Sequence, residues 1–426
     1  MELEDHEEMP ITIEASPPDS PRTVPPAKGS HLPENHFSHT FHLSICTFLS
    51  LIGFNGVGPM LTPVYGIIGS LTASLSWLVW GLGSATVAPL LVRRLGIKRC
   101  LLVGLFGYTL FPLTLLDPSG VLMILLGAGC GLSGSVFFNA QSLFASNAST
   151  PQTIGIHNGI FFTLLLSTNL VGNGLSYVIL ADYSLPYFIG IAFPVAALGI
   201  IIALAMPNTE ESSGQSSSKR PEEAPSILTT LQCIWEMAWT SRRLQLYTPA
   251  MMWHGAILGV WLTWFPTNIL SPCYGASAIG IYMSSFGASN AIGSLLMGVA
   301  VDKLSRRTAW FCAVMLSSVV AVVGCAVLRE ACLPGAHYVF AALMGLEDAA
   351  CNQIFGSVMV AHFSLNPTQM SYAAGWWRLS LGLSAFLVVL TAYHLPNYVV
   401  EFLSLVAAIT TTGFFFAAEK WEDSPK

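Results

Sequence analysis

Two adjacent acids, Glu347 and Asp348, and one cation, Arg378, stand deep inside apolar runs where the chain otherwise carries almost no charge. Ionised groups held within a bilayer are costly, so they persist where they face an inner cavity, a partner or a coupled ion. The chemistry open to this set is ion pairing and proton transfer. One arginine can neutralise one of two neighbouring acids, which leaves the other as a proton-carrying group. The sequence predicts that Arg378 reaches toward the acids from the next helix. Asp348 shares a helical face with Asn352, Gly345 and Gly356, and Gln353 follows at once. A structural pair that fixes two helices together is the competing reading of the same residues.

Other polar residues mark a cavity and a gate. Asn55-Gly56-Val57-Gly58-Pro59 and Phe265-Pro266-Thr267-Asn268 interrupt two apolar runs at corresponding places, a pattern that points to a binding site between repeats. Asn55, Asn139, Gln141 and His254 are the candidate cavity residues, although a lone histidine in a membrane is more often hydrogen-bonded to a neighbouring helix. The loop Gly298-Val-Ala-Val-Asp302-Lys303-Leu-Ser305-Arg306-Arg307 places an acid at a helix end among cations. There Asp302 can pair with a neighbouring helix in one conformation and release it in another, so Gly298, Asp302, Lys303, Arg306 and Arg307 form a candidate cytoplasmic gate. The competing reading is a simple cluster of positive charge that stops transfer. Val92-Arg93-Arg94-Leu95-Gly96-Ile97-Lys98-Arg99 keeps the glycine and the cations but has no aspartate.

The elements that must position these residues follow from composition. Hydrophobic residues make up 53% of the 426 and charged residues 9%, against roughly a quarter charged in a soluble domain, and mean hydropathy is +0.62. The expected fold is an all-α polytopic membrane protein. Twelve apolar runs have about the 20 residues a crossing needs: 43–61, 71–92, 100–116, 121–145, 154–180, 187–206, 246–270, 278–301, 309–328, 338–361, 371–393 and 402–418. They divide the chain into a disordered acidic tail (1–40), a six-helix half (41–206), a linker (207–243), a second six-helix half (244–418) and a short tail (419–426). Within the linker, Leu228, Leu231, Trp235 and Trp239 suggest an amphipathic helix at the interface, with a flexible connector as the alternative. With both termini cytoplasmic, 15 of the 17 Lys and Arg fall on that side, a strong positive-inside pattern. A shift of about 215 residues lays Gly131 on Gly345, Asn139 on Gln353 and Gly159-Ile160-Phe161 on Gly375-Trp376-Trp377, which argues for duplicated halves.

Several chemistries are excluded. Gly129-Cys-Gly131-Leu-Ser-Gly134 lies in an apolar helix with no strand before it, so the nucleotide reading fails, and Gly127-x-x-x-Gly131 reads as close helix packing. No C-x-x-C, zinc spacing, Walker loop or nucleophile elbow occurs. The expectation is therefore no enzyme, no metal, no cofactor and no nucleic-acid partner. The cysteines read as small apolar residues, except that Cys273 and Cys332 share the external side, where a bridge between them is open.

The gate loop resembles the G-x-x-x-D-[RK]-x-G-[RK]-[RK] signature of the major facilitator superfamily, with Ser305 in place of the second glycine. Ile154-Gly-Ile-His157-Asn158-Gly159 with Ser167-Thr168-Asn169-Leu-Val-Gly172-Asn173 looks like the fifth span of the uncoordinated-93-like branch of that superfamily. Gly345-Leu346-Glu347-Asp348 is similar to the branch's G-[LI]-G-D motif, with Glu347 where the pattern has glycine. Tyr282 to Ser294 fits its eighth span. The resemblance covers the membrane part and neither tail. It implies a twelve-helix major facilitator fold of two six-helix pseudo-repeats. For activity it leaves two readings: a secondary transporter, proton-coupled through Glu347 or Asp348, of a small solute or ion; or a non-transporting accessory protein that regulates or escorts an ion channel or another membrane protein. The lipid bilayer is the one partner common to both.

Overall fold

The computed structural model describes residues 36–116, 119–148, 154–206, 226–328, 331–363, 367–392 and 394–421. The acidic tail before His36 and the Ser-rich part of the linker lie outside the described residues. Every described element is helical. The first group is α1 (His36–Val57), α2 (Leu61–Ala85), α3 (Val87–Leu95), α4 (Ile97–Leu110), α5 (Gly120–Ala148), α6 (Ile154–Asp182) and α7 (Leu185–Leu204). The linker helix α8 (Ile227–Thr240) leads to α9 (Arg242–Gly259), α10 (Ser271–Tyr274), α11 (Ile279–Leu304), α12 (Arg306–Ala309), α13 (Leu316–Leu328), α14 (Pro334–Phe363), α15 (Pro367–Ala392) and α16 (Asn397–Lys420).

Apolar residues surround the long helices instead of lining one face, so the sides that do not pack on neighbours stay apolar and exposed, as a membrane-crossing helix requires. Val121, Val178, Ile292 and Phe402 are among the large apolar side chains left exposed. Nine stretches among the described residues are long and apolar enough to cross a membrane. The first, Phe37–Ala85, runs 49 residues, over twice one crossing, and Gly66 interrupts it at φ 58°, ψ −129°. The expected count of twelve therefore needs this run to cross twice, and needs the two more polar helices α9 and α14 to cross as well. There are two hydrophobic cores, one from Leu43 to Met206 and one from Ala238 to Ala418.

Glycine sets how closely the helices approach. A Cβ on Gly131 would lie 2.2 Å from the Ser76 carbonyl oxygen of α2, and one on Gly345 would lie 2.1 Å from the Phe286 carbonyl oxygen of α11. The two glycines that the repeat aligned thus serve the same purpose in their own halves. Between the groups run two seams. In one, α2 meets α15, where a Cβ on Gly382 would lie 2.7 Å from Gly81 Cα and 2.7 Å from the Trp77 carbonyl oxygen, and Ser70 Oγ donates to the Val389 carbonyl at 2.8 Å. In the other, α6 meets α11, and Gly287 abuts the Leu170 backbone nitrogen.

Local structure departs from the sequence expectation at several points. Helix α1 begins at His36, inside the expected tail, because Phe37 stacks on His157 at 4.5 Å and Thr40 Oγ1 bonds His157 Nδ1 at 2.6 Å. The linker's second part is a helix, with Thr230, Ile234 and Ala238 buried and Leu228, Trp235 and Trp239 exposed. Pro266 does not break its span but opens the second of two wide π turns, Val260–Trp264 and Pro266–Leu270, since proline has no N–H for the regular ladder. Ser305 sits at φ 81°, ψ 149°, almost the conformation of Gly96 at φ 82°, ψ 163°. Its side chain compensates by capping Thr308 N.

Candidate functional site

The two groups enclose a cavity of ≈ 330 Å³, within the range of small-ligand sites. Its wall includes Asn55 from α1, Gln141 from α5, His254 from α9, Asp348 and Asn352 from α14 and Arg378 from α15. The cavity reaches Asn158, Met359 and Met370 toward the side of the basic loops, and Gly58, Pro59, Leu262 and Thr263 toward the other. At the other end the groups touch. The segment Gly58–Met60 packs on α11 and on Val260–Trp264, and a Cβ on Gly280 would lie 2.5 Å from the Asn173 carbonyl oxygen.

Asp348 is the most heavily bonded group on this wall. Its Oδ1 lies 3.0 Å from His254 Nε2 and accepts from Asn352 Nδ2 at 3.0 Å, while Oδ2 accepts from Asn290 Nδ2 at 2.7 Å. An acceptor-only carboxylate suits three N–H donors at once. With Asp348 as acceptor, the proton of His254 is assigned to Nε2. His254 is fully buried and its Nδ1 has no partner. Phe355 and Trp377 stack on its ring, which holds it against rotation.

Glu347, one residue earlier, points elsewhere, because successive positions on a helix face about 100° apart. It is fully buried within the second group, accepts from Trp261 Nε1 at 3.2 Å and from Ser318 Oγ, and does not line the cavity. The two adjacent acids therefore occupy different environments.

Arg378 corrects the sequence expectation. No carboxylate lies within ion-pair distance of it among the described residues. It donates instead across the groups to α5, to Ser142 Oγ at 2.7 Å and to the Phe138 carbonyl at 3.1 Å. The carbonyl is free to accept a second bond because an oxygen has two lone pairs. Gln353 lies off the cavity, its Nε2 unpartnered, and Asn139 donates back to the Ser135 carbonyl at 2.9 Å. Asn55 lines the cavity and bonds Thr168 Oγ1.

At the basic end, Arg306 and Arg307, two of the candidate gate residues, converge on Glu419. Arg306 Nε donates to Glu419 Oε1 at 2.9 Å, Arg307 to the Glu419 carbonyl at 2.6 Å, and Tyr247 OH to the same carboxylate. His362 bridges Arg306 at 3.2 Å and Arg243 at 2.9 Å. This joins α9, α12, α14 and α16. A Cβ on Gly298 would lie 4.0 Å from Gln353 Oε1; the side chain of Asp302 lies outside the described residues, and Lys303 is exposed. Sequence reasoning assigned Glu419 to the tail and missed Asn290, Ser142 and the buried Glu401. The signal for Asn290 was its place four residues before Ser294 in an apolar run. At the opposite end, Cys273 and Cys332 form a disulfide.

The family described as ion channel regulatory protein UNC-93 matches residues 69–339. The chain belongs to the UNC-93 family. "UNC93-like protein 3" of Arabidopsis thaliana is 23% identical over 282 residues, 62% of this chain and 61% of that protein. "Putative potassium channel regulatory protein unc-93" of Caenorhabditis elegans is 27% identical over 158 residues, 34% of this chain and 22% of that protein. The match thus spans less than two thirds of either relative's length. Among solved structures, a point mutant of the nucleoside transporter NupG superposes with a TM-score of 0.61 at 14% identity, over 90% of this chain and 100% of that one. This UNC-93 protein therefore has the major facilitator fold, and its family and fold are those of multi-pass membrane proteins, not enzymes.

Proposed function

We propose that this UNC-93 protein is a secondary transporter that moves a small solute by alternating access, with the Asp348–His254 pair as its ion-sensitive element. The observation that carries this reading is the cavity between the two groups, with a hydrogen-bonded carboxylate–imidazole pair on its wall. A scaffold has no need of an internal space lined by polar side chains from both groups, Asn55 and Gln141 from one and His254, Asp348 and Arg378 from the other. Protonation of Asp348 would remove its charge and loosen its three N–H contacts, so the ion state and the packing of α9, α11 and α14 are coupled.

Both termini on the cytoplasmic side is the orientation we infer. Two independent features support it. The basic loops gather at one end, and the Cys273–Cys332 bridge sits at the other, where an oxidising compartment would preserve it.

The test is purified chain in proteoliposomes under an imposed pH gradient, with uptake measured for a panel of nucleosides and other small metabolites. Nucleosides head the panel because NupG shares the fold. Proton-driven uptake by the parent, lost in Asp348→Asn and kept in Glu347→Gln, is the expected result. A second reading, regulation of a potassium channel, is favoured by the C. elegans relative's name. If no solute is taken up and affinity purification recovers one stoichiometric membrane partner, the transport reading fails and the second replaces it.

A further inference from the structure

We propose that the loop joining α3 to α4 holds the phosphate-bearing headgroup of an anionic phospholipid. The two basic loops have the same backbone turn, at Gly96 in the first group and Ser305 in the second, yet different partners among the described residues. In the second group, Glu419 takes both Arg306 and Arg307 through its carboxylate and carbonyl. In the first group, the end of α7 brings Leu204 to the loop instead. No carboxylate among the described residues pairs with Arg93, Arg94, Lys98 or Arg99.

These four cations rim a pocket of ≈ 830 Å³ whose remaining wall is apolar, with Leu102, Leu143 and Leu204. Leu143 and Leu204 are 46% and 58% exposed, so the apolar side of the pocket is open to the lipid around the helices. Arg93 and Arg94 end α3 while Lys98 and Arg99 begin α4, so the cations approach from two helices that meet at Gly96. A phosphodiester with acyl chains matches both halves of this wall: charge for the guanidinium and ammonium groups, chains for the leucines. Basic pockets between membrane helices near the cytoplasmic face suit such headgroups. The loop that lacks the latch aspartate is thereby given a different use, independent of whether the cavity transports.

The experiment reconstitutes the full chain in nanodiscs of phosphatidylcholine with and without a phosphatidylinositol phosphate, and counts the lipid retained by native mass spectrometry. The expected result is one retained anionic lipid per chain. Its affinity should fall at least about tenfold when all four cations are replaced by glutamine, since each contributes several-fold near a surface. Arg242→Gln with Lys420→Gln, which removes charge elsewhere at the same end, should leave retention unchanged. An unaltered thermal midpoint in the fourfold variant shows that it folds; if it does not fold, Arg93→Gln with Arg94→Gln alone should reduce retention. Equal retention by parent and variants, equal retention of phosphatidylcholine, or complete displacement by inorganic phosphate at matched concentration would each overturn the proposal.

Discussion

Arg378 offers the sharpest test of how the two groups are joined. If it were paired with a buried acid, Arg378→Met would strand a charge and cost about 3–5 kcal/mol, and neutralising that acid would recover much of the loss. The structure gives it two neutral acceptors on α5 instead, Ser142 Oγ at 2.7 Å and the Phe138 carbonyl at 3.1 Å. Hydrogen bonds from a charged donor contribute about 1.5–3 kcal/mol each. Arg378 lines the cavity, so water recovers part of each bond, and a total of about 2–3 kcal/mol is expected. A double-mutant cycle between Arg378→Met and Ser142→Ala should show coupling of about 1–2 kcal/mol. In the same background Asp348→Asn and Glu347→Gln should be additive to within about 0.5 kcal/mol. The measurement is reversible denaturant unfolding in detergent micelles, followed by tryptophan fluorescence. Rescue of Arg378→Met by either acid substitution, or the absence of Ser142 coupling, would refute the assignment of Arg378 as a tether between groups.

Ser305 holds a backbone conformation that only glycine adopts easily, at a cost of about 1–3 kcal/mol, while glycine at a cap loses only a few tenths. Ser305→Gly should therefore raise stability by about 1 kcal/mol and Ser305→Ala lower it, as read from the same unfolding curves; a loss with glycine would contradict the strain argument. The Cys273–Cys332 bridge closes a separation of 59 residues, for which chain entropy predicts about 4 kcal/mol as an upper figure. Cys273→Ser and Cys332→Ser should then each lower the unfolding midpoint equally, and a reductant should have no further effect on either. Gly382→Ala should cost about 1–3 kcal/mol by overpacking the α2–α15 seam, whereas Gly413→Ala, with no atom near its Cβ position, should cost nothing measurable by thermal unfolding.

Much of this molecule was legible before any coordinates. A 53% hydrophobic chain with 9% charge leaves no soluble core large enough to hide its apolar surface, so helices in lipid follow from composition alone. The matched glycines Gly131 and Gly345 foretold close approach within each half, and small residues at fixed spacing have few other uses in a membrane helix. The rarity of buried charge singled out Asp348, although it did not separate Asp348 from Glu347. Adjacent positions look alike in a list of residues. They diverge by about 100° around a helix, so one acid faces the cavity and the other Trp261 and Ser318.

What the chain order could not decide was which partner each lone polar group would meet. Asp348 finds His254 across 94 residues of sequence, and Arg378 finds Ser142 across 236, distances over which no local spacing rule operates. Opposite charge made Arg378 and the acids the natural pair, yet a guanidinium is equally satisfied by carbonyl and hydroxyl oxygens when the packing of α15 on the other group brings those nearer. The same holds for Glu419, which lies past the last apolar run and reads as tail until α9, α12, α14 and α16 bring their side chains together around it. Hydrophobicity is a property of each residue and so survives in the sequence. A hydrogen bond between distant helices is a property of their packing, and only the folded chain contains it.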